Sequence, residues 1–418
     1  SVSKTKKEKE DLRNQARSYL SSCTQYGGTS HEITFLAAYL QFKSNDWTKA
    51  LGTVASLPEH PDQVSPRTYL NTQLLKAQLL QGNFQVATDL QKARVLYESC
   101  VKLAAGTPLA TSPLLWNNIA VLRLALHAKD DALVAVDEAL RLSCGEVHVS
   151  LENRSVLDLT PDEWSTVLHE AINVTLIYNY AVILDEKGRE EEAKQVWEAI
   201  QREVPQYYEC ELRLVKQMIR HKQLDEAVSR LKCLCSDLES QLNAGFLKES
   251  QTLLTYVTSC YTDCLCLLAH TLAQKNRPEE AVSIITRSYL SRSRQHDLYL
   301  NLLLSNIYLQ ISRTDDPHNY FRVASEMIQR SLRKNPCNVY LANGCGLILQ
   351  RTGKQQAAMQ VFKKVRESAL TYSACCVNVA HMYLLDQRYH DATGLYETAL
   401  HLETGQHDVK IGRASCRE

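Results

Sequence analysis

The stretch from Val339 to Leu402 repeats itself. Shifted by 34 residues, it places Gly346 on Ala380, Leu349 on Tyr383, Ala358 on Ala392, Phe362 on Tyr396 and Val365 on Ala399. Each copy has a small residue, an apolar residue three positions later, and then a small and a large residue four apart in a second segment. Residues three and four apart share one face of a helix. The pattern therefore describes two antiparallel helices that cross at small side chains, with large side chains filling the gaps beside the crossing. One such hairpin cannot bury its own apolar face and must stack on neighbours. That requirement makes the rest of the chain a search for further hairpins.

The period and the small and large positions are those of the tetratricopeptide repeat. Other copies follow along the chain. Pair one spans roughly residues 32–57, with Ala38 and Ala50 at its crossing, and Pro58 and Pro61 end it because proline cannot continue a helix. Pair two spans 68–103 and turns near Gly82-Asn83. Pair three starts after Pro113, with Trp116, Ala120, Ala132 and Ala139 in position. Pair four matches best: Tyr180, Ala181, Leu184, Gly188, Ala193, Trp197 and Pro205 all fall on pattern. Ala227 carries the period into pair five, and Ala269, Ala281, Tyr308 and Ala324 carry it through pairs six and seven. The expected fold is an all-α, right-handed superhelix of about nine helix pairs.

Residues 32–403 make up this array, with inserts near 144–164, 236–250 and 313–319. In the first insert an extended loop is expected to lead into a helix that continues into pair four, with Thr160 as its cap ahead of Pro161 and Glu163. Residues 1–31 read as a polar helix or linker, and the lack of an initiator Met suggests that the chain begins inside a longer protein. The tail 404–418 leaves the pattern, and its KIGRASCRE ending reads as translated adapter sequence.

Charge and composition exclude several classes. Lys and Arg total 47, and so do Asp and Glu. This balance argues against a module that binds nucleic acid through phosphate neutralisation. The sequence contains no apolar run of membrane-spanning length. Fourteen cysteines follow no disulfide framework, and several replace small buried residues, which indicates reduced thiols. Cys260, Cys264, Cys266 and His270 approach metal spacing, but they lack the paired ligands on a turn that zinc sites favour. They read as core residues. The triplets at Asn153 and Asn173 read as chance matches to the glycosylation motif.

The sequence has no glycine-rich phosphate loop, nucleophile elbow or HExxH, and His381 has no nameable catalytic partner. No enzyme and no cofactor is expected. The informative polar positions are Asn118, Asn179 and Asn378, each two residues before a small crossing residue. An asparagine there either faces the concave groove and bonds a bound peptide backbone, or ties helices together within the stack. A chaperone-type carboxylate clamp is missing. Asn117 and Val121, and Tyr178 and Val182, stand at the corresponding places in pairs three and four.

A more specific resemblance lies in pairs eight and nine. Asn338, Tyr340, Ala342, Asn343, Gly344 and Gly346 open pair eight, and Val365-Arg366-Glu367 closes it. Asn378, Ala380, His381, Tyr383, Gln387, Tyr389, Tyr396, Glu397 and Leu400 follow. This run resembles the tetratricopeptide scaffold subunit of the RNA polymerase II-associated PAF elongation complex. Weaker likeness extends back to residue 113, and Cys375-Cys376 departs from the family's Trp-Leu region. The resemblance implies a nuclear scaffold that holds other PAF subunits on the polymerase machinery and supports linked chromatin modification. It implies neither sequence-specific nucleic-acid binding nor membrane association. The alternative is a scaffold of another complex, in RNA processing or protein targeting. The signature positions that carry the fold reading are Ala181, Ala193, Trp197, Gly346, Ala358, Phe362, Ala380, Ala392 and Tyr396.

Overall fold

A computed structural model describes residues 14–16, 18–22, 30–44, 46–58, 64–81, 87–105, 112–151, 154–243, 251–289, 298–312, 319–336, 338–369 and 372–402. The N-terminal charge run, the Gly82-Asn83 turn, the Asn153 position, the insert at 313–318 and the tail lie outside them. Every regular element among the described residues is helical. The chain divides into two compact units.

The first unit contains α1 (His31–Lys43), α2 (Trp47–Ala55), α3 (Pro66–Gln81), α4 (Ala87–Ala104), α5 (Pro113–Ala125), α6 (Lys129–Glu146), α7 (Pro161–Leu168), α8 (Ala171–Glu186), α9 (Glu190–Glu203) and α10 (Tyr208–Arg220). Helices α1 and α2, α5 and α6, and α8 and α9 pack as hairpins, and α6 packs on α8, so successive hairpins stack. The small residues occupy the crossings: Ala120, Ala132, Ala139, Ala181 and Ala193 are fully buried. Trp197 is also fully buried in the same core. The amphipathic pattern of α9, EEEAKQVWEAIQRE, explains its orientation, because Ala193, Val196, Trp197 and Ile200 form one stripe.

The insert between α6 and α8 differs from the sequence expectation. Helix α6 continues to Glu146, and a 3-10 turn at Val156–Asp158 precedes α7. Helix α7 does not run on into α8: Glu170 is extended (φ −86°, ψ 120°) and restarts the chain. The reason is burial. Trp164, Val167 and Leu168 turn α7 into the core, so the short helix packs as a separate wedge. A capping box seals its start, with Thr160 Oγ1 accepting from the Glu163 amide and Glu163 accepting from the Thr160 amide. Arg154 donates to the same carboxylate at 2.5 Å.

The second unit contains α11 (Leu224–Asn243), most of α12 (Gln251–Gln274), α13 (Pro278–Tyr289), α14 (Leu298–Ile311), α15 (Tyr320–Lys334), α16 (Val339–Arg351), α17 (Gln355–Ser368), α18 (Ser373–Leu385) and α19 (Tyr389–Leu402). Three successive hairpins, α14/α15, α16/α17 and α18/α19, stack through α15 on α16 and α17 on α18. Ala358, Phe362, Ala380 and Ala392 are fully buried and Tyr396 nearly so. At Gly346 a Cβ would lie 2.4 Å from Phe362 Cε1, so the hairpin closes on the missing side chain.

Candidate groove sites

The first helices of the hairpins carry a recurring amide contact. In the first unit, Asn179 on α8 donates through Nδ2 to Asn117 Oδ1 on α5 at 2.8 Å. In the second unit, Asn378 on α18 donates in the same way to Asn343 Oδ1 on α16, also at 2.8 Å. Each pair joins the position two before a small crossing residue to the position three before it in the preceding hairpin. The contact uses one N–H of each donor asparagine, and the carbonyl oxygen of its side chain makes no hydrogen bond among the described residues. Asn179 and Asn378 are both partly exposed.

Asn118 occupies the same repeat position but makes different contacts. The preceding first helix, α3, has Leu74 three residues before Ala77, so no amide stands where Asn117 and Asn343 stand. Instead the Asn118 side chain bonds Tyr97, while the Asn118 main-chain carbonyl accepts from Gln81 Nε2 at 3.2 Å. Tyr97 in turn donates to Gln81 Oε1 at 2.8 Å. Burial pushes the Tyr97 phenol well above its usual range, so it stays a neutral donor. Asn118 therefore joins a buried network within the stack. The position after Asn179 in the series is Arg213 on α10, whose Nε donates to Tyr178 Oη at 3.1 Å.

In the second unit this contact lies beside a cavity of about 400 Å³ on α14, α16 and α18. Asn306, Asn343 and Asn378 line it together with Leu302, Leu309 and Leu347. Tyr340 and Tyr372 form one wall, their rings edge to face at 4.9 Å. Asn343 is nearly buried and also donates to Tyr372 Oη at 3.3 Å. Arg351 also lines it and donates through Nη1 to Ser312 Oγ at 2.8 Å. A volume of this size is in the range of ligand pockets.

Of the asparagines singled out in the sequence, Asn378 lines this cavity, together with Asn306, Asn343 and Arg351, which the sequence reading did not single out as binding positions. The signal for Asn343 was present in the doublet-like spacing shared with Asn117, three residues before a small crossing residue. Arg351 carries no repeat signature, and only the stacking of α14 on α16 brings it to the cavity.

The cysteine and glycosylation readings are also placed. Cys260 and Cys264 are buried, and the sulfurs of Cys235 and Cys264 lie 3.1 Å apart. Among the described residues no three His, Cys, Asp or Glu converge on a metal site. Asn173 is 1% exposed; its Nδ2 donates to the Val167 carbonyl and its Oδ1 accepts from Ser143, so it offers no acceptor surface for a glycan. Among the described residues no single helix is long and apolar enough to cross a membrane.

Stacked helix hairpins with small residues at each crossing define the chain as an all-α protein of the tetratricopeptide class. No family model matches it. The RNA polymerase-associated protein CTR9 of Caenorhabditis elegans is 25% identical over 335 residues, which cover 78% of this chain and 26% of that protein. CTR9 of Saccharomyces cerevisiae is 25% identical over 243 residues, covering 55% of this chain and 21% of that protein. The likeness read from pairs eight and nine therefore extends through most of the chain, which spans about a quarter of the length of these curated relatives. Among solved structures, the apo form of the quorum sensor NprR from B. thuringiensis is similar, with a TM-score of 0.51 and 15% identity over 94% of each chain. That likeness concerns the fold alone.

Proposed function

We propose that this chain is part of a non-enzymatic scaffold that assembles a PAF-type elongation complex on RNA polymerase II in the nucleus, and through it supports chromatin modification. The observation that carries this reading is the similarity to two proteins named as RNA polymerase-associated, over 335 residues in the longer match. The structure supplies a mechanism consistent with it. Stacked hairpins present rows of first-helix side chains, and such arrays bind partners along extended surfaces. The amide pairs Asn117–Asn179 and Asn343–Asn378 hold neighbouring first helices in register.

Asn179 and Asn378 are proposed to contact partner segments through their side-chain carbonyls, and Asn118 to act within the stack. The experiment is affinity capture of the tagged chain from nuclear extract, with mass spectrometry of what accompanies it. Co-purification of the other PAF subunits and polymerase is expected. Capture of an RNA-processing or protein-targeting assembly in their place would overturn the assignment to transcription. Fluorescence of the tagged chain in cells tests the compartment, and exclusion from the nucleus would contradict it.

A further inference from the structure

Cys235 and Cys264 are 29 residues apart in the chain and in contact in the fold. Helical spacing puts each on a buried stripe, with Leu231, Leu234 and Leu238 on α11 and with Val257, Tyr261 and Leu268 on α12. The two sulfurs lie 3.1 Å apart, with Cys235 as the donor. The Cys264 thiol in turn donates to the Leu231 carbonyl at 3.4 Å, one turn before Cys235. Cys264 is therefore tied to α11 at two atoms, and both residues are thiols in this structure.

Packing alone does not call for this arrangement. A small apolar residue would fill either position, and a thiol is a weak donor that gains little from a sulfur acceptor. What two thiols in contact add is the option of a covalent bond, for which these sulfurs need a further approach of about 1 Å. The pair is also unequal. The hydrogen bond with Cys235, followed by burial, holds the Cys264 thiol far above its usual range, so Cys264 keeps its proton. Cys235 is 8% exposed against 0% for Cys264, so a small oxidant meets Cys235 first.

We propose that Cys235 and Cys264 form an oxidative modification site, at which a hydroperoxide converts the two thiols into one intrachain disulfide between α11 and α12. The Cys235 sulfur attacks the peroxide, whose O–O bond breaks. One oxygen stays on sulfur as a sulfenic acid, and the other leaves as water, or as an alcohol from an organic hydroperoxide. The Cys264 sulfur then bonds to that of Cys235, the S–O bond breaks, and the hydroxyl leaves as water with the Cys264 proton. The two thiols have lost two electrons and the peroxide has gained them. A dithiol returns both electrons by thiol–disulfide exchange.

The second step joins atoms already in contact, so it outruns further oxidation of the sulfenic acid. The first step is slow, because a buried thiol ionises poorly, and the site answers sustained oxidant rather than a brief pulse. The bond locks α11 to α12. Repeats of a stacked array contact only their neighbours, so the stiffening is local. None of this depends on the scaffold reading or on which complex the chain joins.

The test uses the full chain, reduced, freed of reductant and exposed to excess hydrogen peroxide. Remaining thiols are blocked with iodoacetamide, and the peptides are mapped by mass spectrometry without reduction. A Cys235–Cys264 cross-linked peptide is expected, and dithiothreitol should release it. Cys264→Ser should abolish it and leave Cys235 as a sulfenic acid that dimedone traps; Cys264→Ala should do the same and serves if serine unfolds the core. Cys235→Ala should leave Cys264 unoxidised. Oxidation should raise the urea midpoint of the unsubstituted chain by about 0.5 M, and dithiothreitol should reverse the rise. A folded chain that yields no such peptide would overturn the proposal. So would pairing of Cys235 or Cys264 with any other of the 14 cysteines, a disulfide that forms only in urea, or an oxidised chain with an unraised midpoint.

Discussion

Gly344 and Gly346 lie two residues apart in α16, and the same substitution should move them in opposite directions. Glycine inside a helix is about 0.8–1 kcal/mol less favourable than alanine, so Gly→Ala starts with a gain of that size at either position. At Gly344 the added methyl would meet Ile328 Cδ1 at 3.0 Å and nothing else closer than 3.8 Å. That atom ends a flexible side chain and can rotate by the few tenths of an ångström required. The expected net effect is a stabilisation of about 0.5 kcal/mol. At Gly346 the methyl would meet three atoms of the Phe362 ring at 2.4, 2.8 and 2.9 Å. The ring is fully buried in a cluster with Ala358, Val379 and Met382, so it must push α17 or a neighbouring hairpin outwards. Overpacking of this kind costs about 1–3 kcal/mol, and the upper half of that range applies to a ring with no free side. After the propensity gain, Gly346→Ala should destabilise by about 1–2 kcal/mol.

Pair nine provides an internal check, because Ala380 stands at the equivalent position and packs beside Tyr396. A methyl is therefore compatible with the repeat, and it is the local closure of pair eight that excludes it. Urea unfolding of the full chain, followed by circular dichroism, measures both variants. Trimming the ring with Phe362→Leu should recover part of the loss in the double variant, a coupling that independent sites would not show. If Gly346→Ala proves as stable as Gly344→Ala, the tight crossing described here is wrong.

Other perturbations address the remaining features. Asn378→Ala and Asn179→Ala each remove one inter-hairpin hydrogen bond and should lower stability by about 0.5–1.5 kcal/mol; calorimetry with a purified partner segment then shows whether affinity falls as well, and full affinity would refute the groove role. Ala193→Trp should destabilise by about 1–3 kcal/mol or more, because Ala193 is fully buried at a crossing; an unchanged denaturant midpoint would contradict the register of pair four. Trp197 Nε1 is buried and finds no acceptor among the described residues, so Trp197→Phe removes an unsatisfied donor while opening space; a loss above the roughly 3 kcal/mol typical of large aromatic truncations would contradict that balance. Arg154, followed by the Thr160 amide, holds the Glu163 carboxyl down at about 2, below its usual 4.5. A depressed folded-state pKa contributes stability above the unfolded value that is lost as pH falls from about 4.5 to 2. Glu163→Gln should flatten the acid limb of the stability profile in that window, and an unaltered limb would show that the ion pair is not formed.

The hairpins were legible in the sequence because their determinant is periodic. Ala120, Ala181, Ala193 and Ala358 sit at crossings where any larger side chain would hold two backbones apart, and the spacing alone marks them. The wedge α7 was less legible. Its cap was readable from Thr160, Pro161 and Glu163, but the choice between a continuing helix and a separate one depended on whether Trp164 and Leu168 could reach the core, which is a tertiary question. The asparagines show the same division at the level of single contacts. Asn118, Asn179 and Asn378 hold one repeat position, and position is what periodicity encodes. What each amide does depends on the residue three before the small residue in the preceding hairpin: asparagine at 117 and 343, leucine at 74. Where that neighbour is an asparagine, the amide spans two first helices. Where it is a leucine, the amide is drawn instead to Tyr97 inside the stack. What an asparagine at this repeat position contacts is therefore set by a pair of residues in consecutive hairpins, and not by its own place in the repeat alone.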